Sequence, residues 1–351
     1  MKGNTMRKAV ILVVVLAAVA GLIIFSGVLE TPTDEPVPQE TNQPTEPEAQ
    51  EPEQEEPTEE TLKGVSLSPR SFTEDDFVAF FGKAAEAGEV ITWAGDWMEL
   101  VNGTAPVTHM GLSAAFGYEP VILLNYLDPA TGESLRGLTP ELREAYLTSL
   151  VGFAEEYQPG YIAVGVEVNS VYLKSPDDYP PFVDFFQEAY DAVKAVSPDT
   201  VVFTVFQLER MKGLHGGLFG GENNPSSSQW GLINDFPSTD IVAFTSYPCL
   251  VFGDPSEMPD DYYTEILSHT SKPIAFVELG WFREGFPGWE SDASEQAEFI
   301  DRFFLMAEET EPVLVIWSFL YDVDAAQPFD TMGLLDYDET STEAWDTWTS
   351  H

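Results

Sequence analysis

The stretch Pro273-Ile274-Ala275-Phe276-Val277-Glu278-Leu279-Gly280-Trp281 decides how the rest of this sequence is interpreted. Its apolar part is too short for a helix and follows a proline, which predicts a buried parallel strand. The strand ends in a carboxylate, Glu278, and a buried acid is costly unless it is paired or used in chemistry. A second strand-like stretch, Tyr161 to Val166, ends in Glu167. We therefore expect these two glutamates to be partners.

The composition limits the partners that this chain can have. With 351 residues, of which 44% are hydrophobic, it can bury a sizeable core as one large domain or two ordinary ones. Its 60 Asp and Glu residues against 15 Lys and Arg give a net charge of -45. Such a charge disfavours nucleic acid and anionic membrane surfaces and favours neutral substrates. The acidity fits either a surface adapted to high salt or an ordinary acidic secreted protein.

The N-terminal part predicts a membrane segment followed by a linker. Residues 1–29 begin with three basic residues and continue with an uncharged, mainly apolar stretch, Ala9 to Leu29, which is long enough to span a bilayer. We expect an uncleaved anchor with the remainder on the extracytoplasmic side; the alternative is a cleaved signal segment and a secreted protein. Residues 30–61 are rich in Pro, Glu and Thr and predict a disordered acidic linker.

Residues 62–351 predict a single α/β domain. Short apolar stretches alternate with longer amphipathic ones, and eight such units in about 290 residues match a (β/α)8 TIM barrel. A doubly wound open sheet is the alternative, but the segment Ser66 to Arg70 lacks the glycine-rich turn of a dinucleotide site. The predicted strands are Gly64–Leu67, Val90–Trp93, Pro120–Asn125, Tyr161–Val166, Thr200–Phe206, Asp240–Ser246, Pro273–Val277 and Pro312–Phe319.

Helices are predicted between these strands, and two of them have capping residues in front, at Thr139 and within Ser291 to Ser294. The segments after the second and fifth strands are rich in Gly, Asn and Ser and predict loops. The clearest predicted helices are Glu74–Ala87, Pro140–Tyr157, Tyr179–Val196, Asp260–His269 and Ser294–Glu309.

The C-terminal edges of these predicted strands carry polar and aromatic side chains. In a (β/α)8 barrel the active site collects at these edges. Carboxylates, amides and large aromatic rings together suit a sugar, because rings pack on its C–H faces while amides and acids bind its hydroxyl groups. The candidate substrate-binding residues are Arg70, Asp96, Trp97, Asn125, Asn169, Gln207, Tyr247, Trp281 and Trp317.

Four segments resemble strands of the clan A glycoside hydrolases. Tyr161 to Asn169 is similar to their fourth strand and Pro273 to Trp281 to their seventh. Asp240 to Pro248 resembles the sixth strand and Val315 to Phe319 the eighth. Within the clan the chain looks most like the family 53 endo-β-1,4-galactanases and their relatives, from about Lys63 onward. The resemblance implies a barrel that hydrolyses β-linked carbohydrate with retention of configuration.

The same resemblance implies roles for single residues. It makes Glu167 the catalytic acid/base and Glu278 the catalytic nucleophile. Tyr247 is expected to contact the nucleophile, and Trp317 to form the floor of the sugar site. Such a mechanism needs one protonated and one ionised carboxyl group, and we expect Arg70 to help Tyr247 keep Glu278 ionised. The alternative for Glu278 is a purely structural salt bridge with Arg70.

One departure from the family pattern bears on activity. Most clan A enzymes have, directly before the acid/base, an asparagine that binds the sugar 2-hydroxyl group, where this chain has Val166. Asn169 is a candidate replacement. The departure leaves three alternatives: a weaker enzyme, an enzyme for a different sugar, or an inactive barrel that binds carbohydrate or serves at the cell surface.

The sequence predicts no cofactor and no metal. Its four histidines lack the spacing of a zinc site, and no Gly-x-Ser-x-Gly motif is present. We therefore expect an exported retaining β-glycosidase whose partner is a carbohydrate substrate, with no nucleic-acid partner and with membrane contact only through residues 1–29. No motif in the chain specifies the sugar, the linkage, endo or exo action, or the oligomeric state.

Overall fold

The computed structural model describes residues 61–101, 105–127 and 135–351, and within them eight parallel strands close into a barrel. Each strand pairs with the next along the chain, and the last pairs with the first through Leu314 and Leu62. The predicted (β/α)8 barrel is confirmed, and an open sheet is excluded because the closed barrel has no edges. The strands are β1 (Leu62–Ser66), β2 (Val90–Asp96), β3 (Glu119–Asn125), β4 (Tyr161–Val164), β5 (Val201–Gln207), β6 (Val242–Ser246), β7 (Ile274–Leu279) and β8 (Leu314–Trp317).

Two predicted parts of the chain lie outside this description. The predicted membrane segment, residues 1–29, and all but the last residue of the predicted linker, residues 30–61, precede residue 61. Within the described ranges, no helix is long and apolar enough to cross a bilayer. The anchor, the linker and the extracytoplasmic location therefore stay predictions from the sequence.

Three of the helices begin at capping residues, two of them where the sequence predicts a cap. Thr73 accepts a hydrogen bond from the backbone N–H of Asp76, and Thr139 and Asp292 cap later helices in the same way. The helices of the described residues are α1 (Glu74–Ala87), α2 (Ala105–Phe116), α3 (Pro140–Tyr157), α4 (Val168–Lys174), α5 (Tyr179–Val196), α6 (Leu208–Met211), α7 (Ala293–Ala307) and α8 (Glu343–Ser350).

Two connections differ from the prediction. The chain after β2, predicted as a loop, contains a 3-10 helix (Trp97–Val101) and α2. After β6, where a helix over Asp260–His269 is predicted, 3-10 helices form, the last of them over Thr264–Ser268. Tyr262 and Tyr263 are both buried there. An amphipathic helix directs one stripe of side chains to the core. The turn and the 3-10 helix that form here instead allow both neighbouring rings to be buried.

Strand residues alternate between two hydrophobic layers. Side chains inside the barrel form the inner layer, which includes Val121, Leu123 and Ile316. Their neighbours in sequence, such as Ile122 and Val315, face the helices and belong to the larger outer layer. Because successive side chains of a strand point to opposite faces, the position of a residue in its strand decides whether it can reach the barrel mouth.

A close backbone approach between β1 and β2 leaves room only for glycine at one position. A Cβ atom at Gly64 would lie 1.9 Å from the carbonyl oxygen of Val90. We expect Gly64→Ala to lower the free energy of unfolding by about 2–3 kcal/mol, measured by urea titration, because the two strands must separate to admit a methyl group.

The matched control for this substitution lies in α1. Gly82 is exposed and has no atom near the position of an added Cβ. Gly82→Ala should raise the free energy of unfolding by about 0.5–1 kcal/mol, because alanine is the better helix former. Similar effects of the two substitutions would contradict the close contact between β1 and β2.

Candidate active site

One layer of side chains covers the inner face of the barrel at the C-terminal ends of the strands. In β6, Ala243 belongs to the inner layer, so Thr245 and Tyr247 point to the same side. In β8, Ile316 is an inner residue, and Ser318 is the next residue on that face. The Tyr247 hydroxyl lies 2.8 Å from Ser318 Oγ. Both side chains therefore meet at the barrel mouth.

A β-bulge turns Glu278 toward this space. Val277 lies in the inner layer, so regular alternation would direct Glu278 to the helices. The pairing of β7 with β6 instead shifts its register directly before the pair of Thr245 and Glu278, and a bulge re-aims the side chains that follow it. Glu278 Oε2 accepts a 2.8 Å hydrogen bond from the Tyr247 hydroxyl as a result.

Left-handed backbone brings Glu167 to the same place. β4 ends at Val164, and Gly165 and Glu167 follow with φ angles of 90° and 54°. A left-handed residue other than glycine costs about 1–2 kcal/mol, so its surroundings must hold it, and such strain clusters at functional sites. Thr245 Oγ1 donates a 2.8 Å hydrogen bond to Glu167 Oε1. Thr245 thus fixes the carboxylate that the strained backbone presents.

The two glutamates influence each other's ionisation. Both keep part of their surface accessible, although protein atoms crowd their carboxyl groups. Burial raises the pKa of Glu278, the negative charge of Glu167 raises it further, and the Tyr247 hydrogen bond opposes them, to give a pKa of about 7. Burial also raises the pKa of Glu167, against the Thr245 hydrogen bond and the charge of Arg210. Two carboxyl groups so placed can share one proton near neutral pH.

Two other predicted residues lie at the barrel mouth. Gln207 ends β5 two positions after the inner residue Val205, and its side chain lowers the pKa of Glu167 beside it. Asn125 ends β3 two positions after the inner residue Leu123 and is half-buried. The structure therefore brings together five residues that the sequence indicates: Glu167, Glu278, Tyr247, Gln207 and Asn125.

Three residues of this site are missing from the sequence prediction. Counting alternate positions from Tyr247 and Ile316 identifies Thr245 and Ser318, so the signal for these two was present. The third, Arg210, lies in α6 and acts on Glu167 through its charge. Its guanidinium stacks over the ring of Phe219 at 4.6 Å. No sequence pattern announces this contact, because it depends on the path of a loop.

The tryptophans predicted to bind sugar face the other way. Trp317 follows an inner residue and therefore points to the helices; it is 1% exposed, and its ring lies 6.0 Å from Phe299 and 5.8 Å from Trp348. Trp281 is also 1% exposed, and its ring lies 5.3 Å from Phe299. The prediction that these two rings line the sugar site is wrong. Both stabilise the contact between the barrel and α7 instead.

Asp96 and Trp97 are engaged with the protein itself. Asp96 forms two hydrogen-bonded contacts with Arg136, of 2.9 and 2.6 Å. The ring of Trp97 stacks on Tyr146 of α3 with 4.7 Å between the centroids, and it is buried. Trp97 therefore packs inside the protein, which corrects the prediction that its ring binds sugar. Asp96 pairs with Asn125 at the end of β2 and holds Arg136 at that edge of the barrel.

Arg70 does not orient Glu278. It forms ion pairs with Asp76 at 2.6 Å and with Glu339 at 2.8 Å. Burial, Glu167 and Tyr247 account for the pKa of Glu278, with no part played by Arg70. The predicted role of Arg70 at the nucleophile, and the alternative of a structural salt bridge with it, are both wrong because acids at the start of α1 and near the C-terminus take up its charge.

Asn169 does not replace the asparagine that Val166 displaces. It is completely buried. Its amide nitrogen donates to the carbonyl of Gln207 at 3.0 Å and to Gln229 Oε1 at 3.0 Å, and its oxygen accepts from the backbone N–H of Gln207 at 2.8 Å. The chain after Glu167 continues as a helix and not as an extended strand, so Asn169 turns away from the mouth and fixes the end of β5.

The described part of the chain holds no group of three His, Cys, Asp or Glu side chains placed to bind a metal ion. Cys249 is buried, and burial raises the pKa of its thiol. A neutral buried thiol is a poor nucleophile. The groups that the candidate site offers for chemistry include the carboxyl groups of Glu167 and Glu278 and the hydroxyl groups of Thr245 and Tyr247.

The orientation of Trp317 can be tested through stability. Trp317→Ala should lower the free energy of unfolding by about 3–5 kcal/mol, because it removes a buried ring and the hydrogen bond from Nε1 to the carbonyl of Met332. The control is Trp289→Ala, which removes a half-buried ring and should cost less. Near-normal stability of Trp317→Ala with weakened carbohydrate binding would show that the ring lines the cleft.

No protein-family model matches this chain, and no curated protein is significantly similar to it. Solved structures are similar. One is the exo-β-1,4-mannosidase Op5Man5 from Opitutaceae bacterium strain TAV5, with a TM-score of 0.60 and 13% identity over 82% of this chain and 58% of the mannosidase. Another is a family 39 glycoside hydrolase from Bacteroides cellulosilyticus WH2, with a TM-score of 0.55 and 18% identity over 82% of this chain and 62% of that enzyme.

A third similar structure is the GH5_18 protein from Streptomyces cattleya in complex with GlcNAc. Its TM-score is 0.58, with 18% identity over 84% of this chain and 80% of that protein. This chain thus spans about three fifths of the length of the first two relatives. At such low identity the comparisons establish a shared fold, the (β/α)8 barrel of these glycoside hydrolases.

Proposed function

We propose that this protein is a retaining β-glycosidase that hydrolyses a β-linked oligo- or polysaccharide. The observation that carries the proposal is the placement of Glu167 and Glu278. They come from the ends of β4 and β7, and hydrogen bonds from Thr245 and Tyr247 hold both against the same face of β6. A bulge and a strained backbone turn the two carboxyl groups toward the same end of the barrel. This supports a mechanism that uses both carboxyl groups, as retaining hydrolysis does.

The chemistry proceeds in two steps. Glu278 attacks the anomeric carbon as a carboxylate while the bond from that carbon to the glycosidic oxygen breaks, and Glu167 gives its proton to the leaving oxygen. A glycosyl ester on Glu278 results. Glu167, now ionised, takes a proton from a water molecule that attacks the same carbon and releases Glu278. Tyr247 holds one oxygen of Glu278, so the other is free to react.

The substrate class follows from the layer around the pair. Asn125 and Gln207 offer amide groups for sugar hydroxyl groups. The similar solved structures support carbohydrate: one is named an exo-β-1,4-mannosidase and another contains GlcNAc. The sequence resemblance to endo-β-1,4-galactanases adds β-1,4-galactan to the substrates that we propose for testing.

A second candidate function is an inactive barrel that binds carbohydrate. Two observations favour it. Val166 belongs to the inner hydrophobic layer and cannot bind a hydroxyl group. Arg210 stabilises the ionised form of Glu167, whereas no cation among the described residues acts on Glu278. In the free protein the shared proton is thereby drawn toward Glu278, and a protonated nucleophile is weak.

We also propose that the barrel acts outside the cytoplasm, held by residues 1–29 through the linker of residues 30–61. The support is the sequence: a basic start, an uncharged apolar stretch and an acidic, proline-rich segment. Fractionation of cells that express the full chain, with protease added to intact cells, tests the tether and its orientation.

Substitution of the two glutamates tests the enzyme against the inactive barrel. Against a panel of β-linked polysaccharides and aryl β-glycosides, Glu167→Gln should lower turnover by about 10²–10⁴-fold, the contribution of a general acid, and Glu278→Gln by at least as much. Glu144→Gln, on the exposed face of α3, is the matched control and should leave turnover unchanged. Azide should restore turnover of an activated aryl glycoside in Glu167→Ala and form a β-glycosyl azide.

The outcomes of this experiment separate the two functions. Retention appears as a β-configured first product in time-resolved NMR. Binding of a glycan by the unmodified protein with no turnover on any substrate supports the inactive barrel. An α-configured first product contradicts the retaining mechanism.

The pH dependence of kcat/KM follows from the shared proton. The active form of the Glu167–Glu278 pair carries one proton. The pair loses this proton as the pH rises through the Glu278 pKa of about 7, so kcat/KM should fall above that pH. Tyr247→Phe removes a hydrogen bond that favours ionised Glu278. It should raise this pKa and move the alkaline limb up by about one unit, because such a bond contributes about 1.5 kcal/mol. A limb that stays in place would contradict the role of Tyr247.

A further inference from the structure

A third glutamate stands directly behind the candidate site. Glu209 lies in α6, two residues after β5 ends, and its side chain is completely buried. Burial raises its pKa to about 7, and the charge of Glu167 contributes to the rise. Burying a carboxyl group this completely is costly, so the contacts that it makes need an explanation.

One oxygen of Glu209 gathers three donors. Its Oε1 accepts hydrogen bonds from the backbone N–H of Tyr247 at 3.0 Å, from Ser246 Oγ at 3.1 Å and from the Tyr262 hydroxyl at 3.0 Å. Its Oε2 has no partner within the described residues. A carboxylate oxygen binds such donors more strongly than a neutral oxygen does. Glu209 therefore acts as an anchor for the end of β6.

The backbone of Tyr247 needs this anchor because the sheet no longer supports it. β6 ends at Ser246, and Tyr247 follows with φ -128° and ψ 68°, outside the pairing with β7. Its N–H bonds to Glu209 and its hydroxyl bonds to Glu278 Oε2 at 2.8 Å. One residue thus connects the buried carboxylate to the candidate nucleophile.

We propose that Glu209 is a positioning residue, which fixes the backbone of Tyr247 and, through the phenol, orients the Glu278 carboxylate. The inference rests on the proposed glycosidase function. Several titratable side chains interact with Glu209 and set its charge along with its burial. They are Glu167, Arg210, Lys212, Cys249, Tyr262 and Tyr263.

A double-mutant cycle tests whether Glu209 acts through Tyr247. Glu209→Ala should lower kcat by about 10–100-fold and change KM by less than about 3-fold, because it misplaces a group that acts after binding. In the Tyr247→Phe background, which has already lost the phenol, the same substitution should lower kcat by less than about 3-fold. If the loss of kcat in the double variant equals the product of the losses in the two single variants, the proposal is overturned. Such independence is expected when Glu209→Ala loosens the fold in general and does not act through the phenol.

Two further variants distinguish a positioning role of Glu209 from a packing role. Tyr262→Phe removes one of the three donors to Oε1 and leaves the other two, so its loss of kcat should be smaller than that of Glu209→Ala. Glu209→Gln keeps the shape and an acceptor oxygen, and it carries the cycle if Glu209→Ala does not fold, as judged by circular dichroism. A loss in Tyr262→Phe equal to that in Glu209→Ala would point to packing alone.

A readout without turnover separates this inference from the proposed function. The ¹³C signal of the Glu278 carboxyl group, assigned by its absence in Glu278→Gln, is titrated with pH. Glu209→Gln should shift its apparent pKa when Tyr247 is present, and by less than about a third as much in the Tyr247→Phe background. Such coupling in a protein without turnover would reject the glycosidase and leave the positioning role standing. Equal shifts in both backgrounds would reject the positioning role.

Discussion

Two hydrogen bonds, one from the end of β6 and one from the residue that follows it, hold the two carboxyl groups at the barrel mouth. Thr245 in β6 donates to Glu167, and Tyr247, directly after β6, donates to Glu278. The end of β6 thus brings together a carboxyl group that follows β4 and one from β7. Neither glutamate would arrive there by regular strand geometry. Glu167 needs left-handed backbone, and Glu278 needs a bulge. The closed barrel supplies the rigidity that holds both irregularities in place.

Burial and nearby charged groups shift the pKa values of the glutamates at this site. Burial raises the pKa of Glu167, Glu278 and Glu209, whereas Arg210 interacts favourably with the ionised forms of Glu167 and Glu209. Arg210 therefore lowers the pKa of the candidate acid, Glu167, whereas the hydrogen bond from Tyr247 lowers the pKa of the candidate nucleophile, Glu278. The mechanism that we propose needs Glu167 protonated and Glu278 ionised when the substrate is bound.

Strand alternation explains where the sequence prediction of the site failed. The resemblance to the eighth strand of the clan predicts Trp317 in the sugar site, but Trp317 stands one residue after an inner position, and the smaller Ser318 occupies the mouth. Arg70 was expected to meet Glu278, yet Asp76 and Glu339 bind it. Plain alternation predicts that Glu278 faces outward, and the bulge in β7 is what brings it to Tyr247 at the mouth. Long-range charge pairing and a bulge are invisible in a local sequence pattern.

The sequence by itself determined the order of the eight strands, the caps of two helices and the two strand ends that carry Glu167 and Glu278. These features depend on local periodicity, capping residues and apolar runs, which neighbouring residues decide. Only the tertiary structure decided which side chains face the mouth, which charges meet, and that Glu209 holds Tyr247 from behind. Those contacts join residues tens of positions apart, and register and packing between strands, which no single stretch encodes, bring them together.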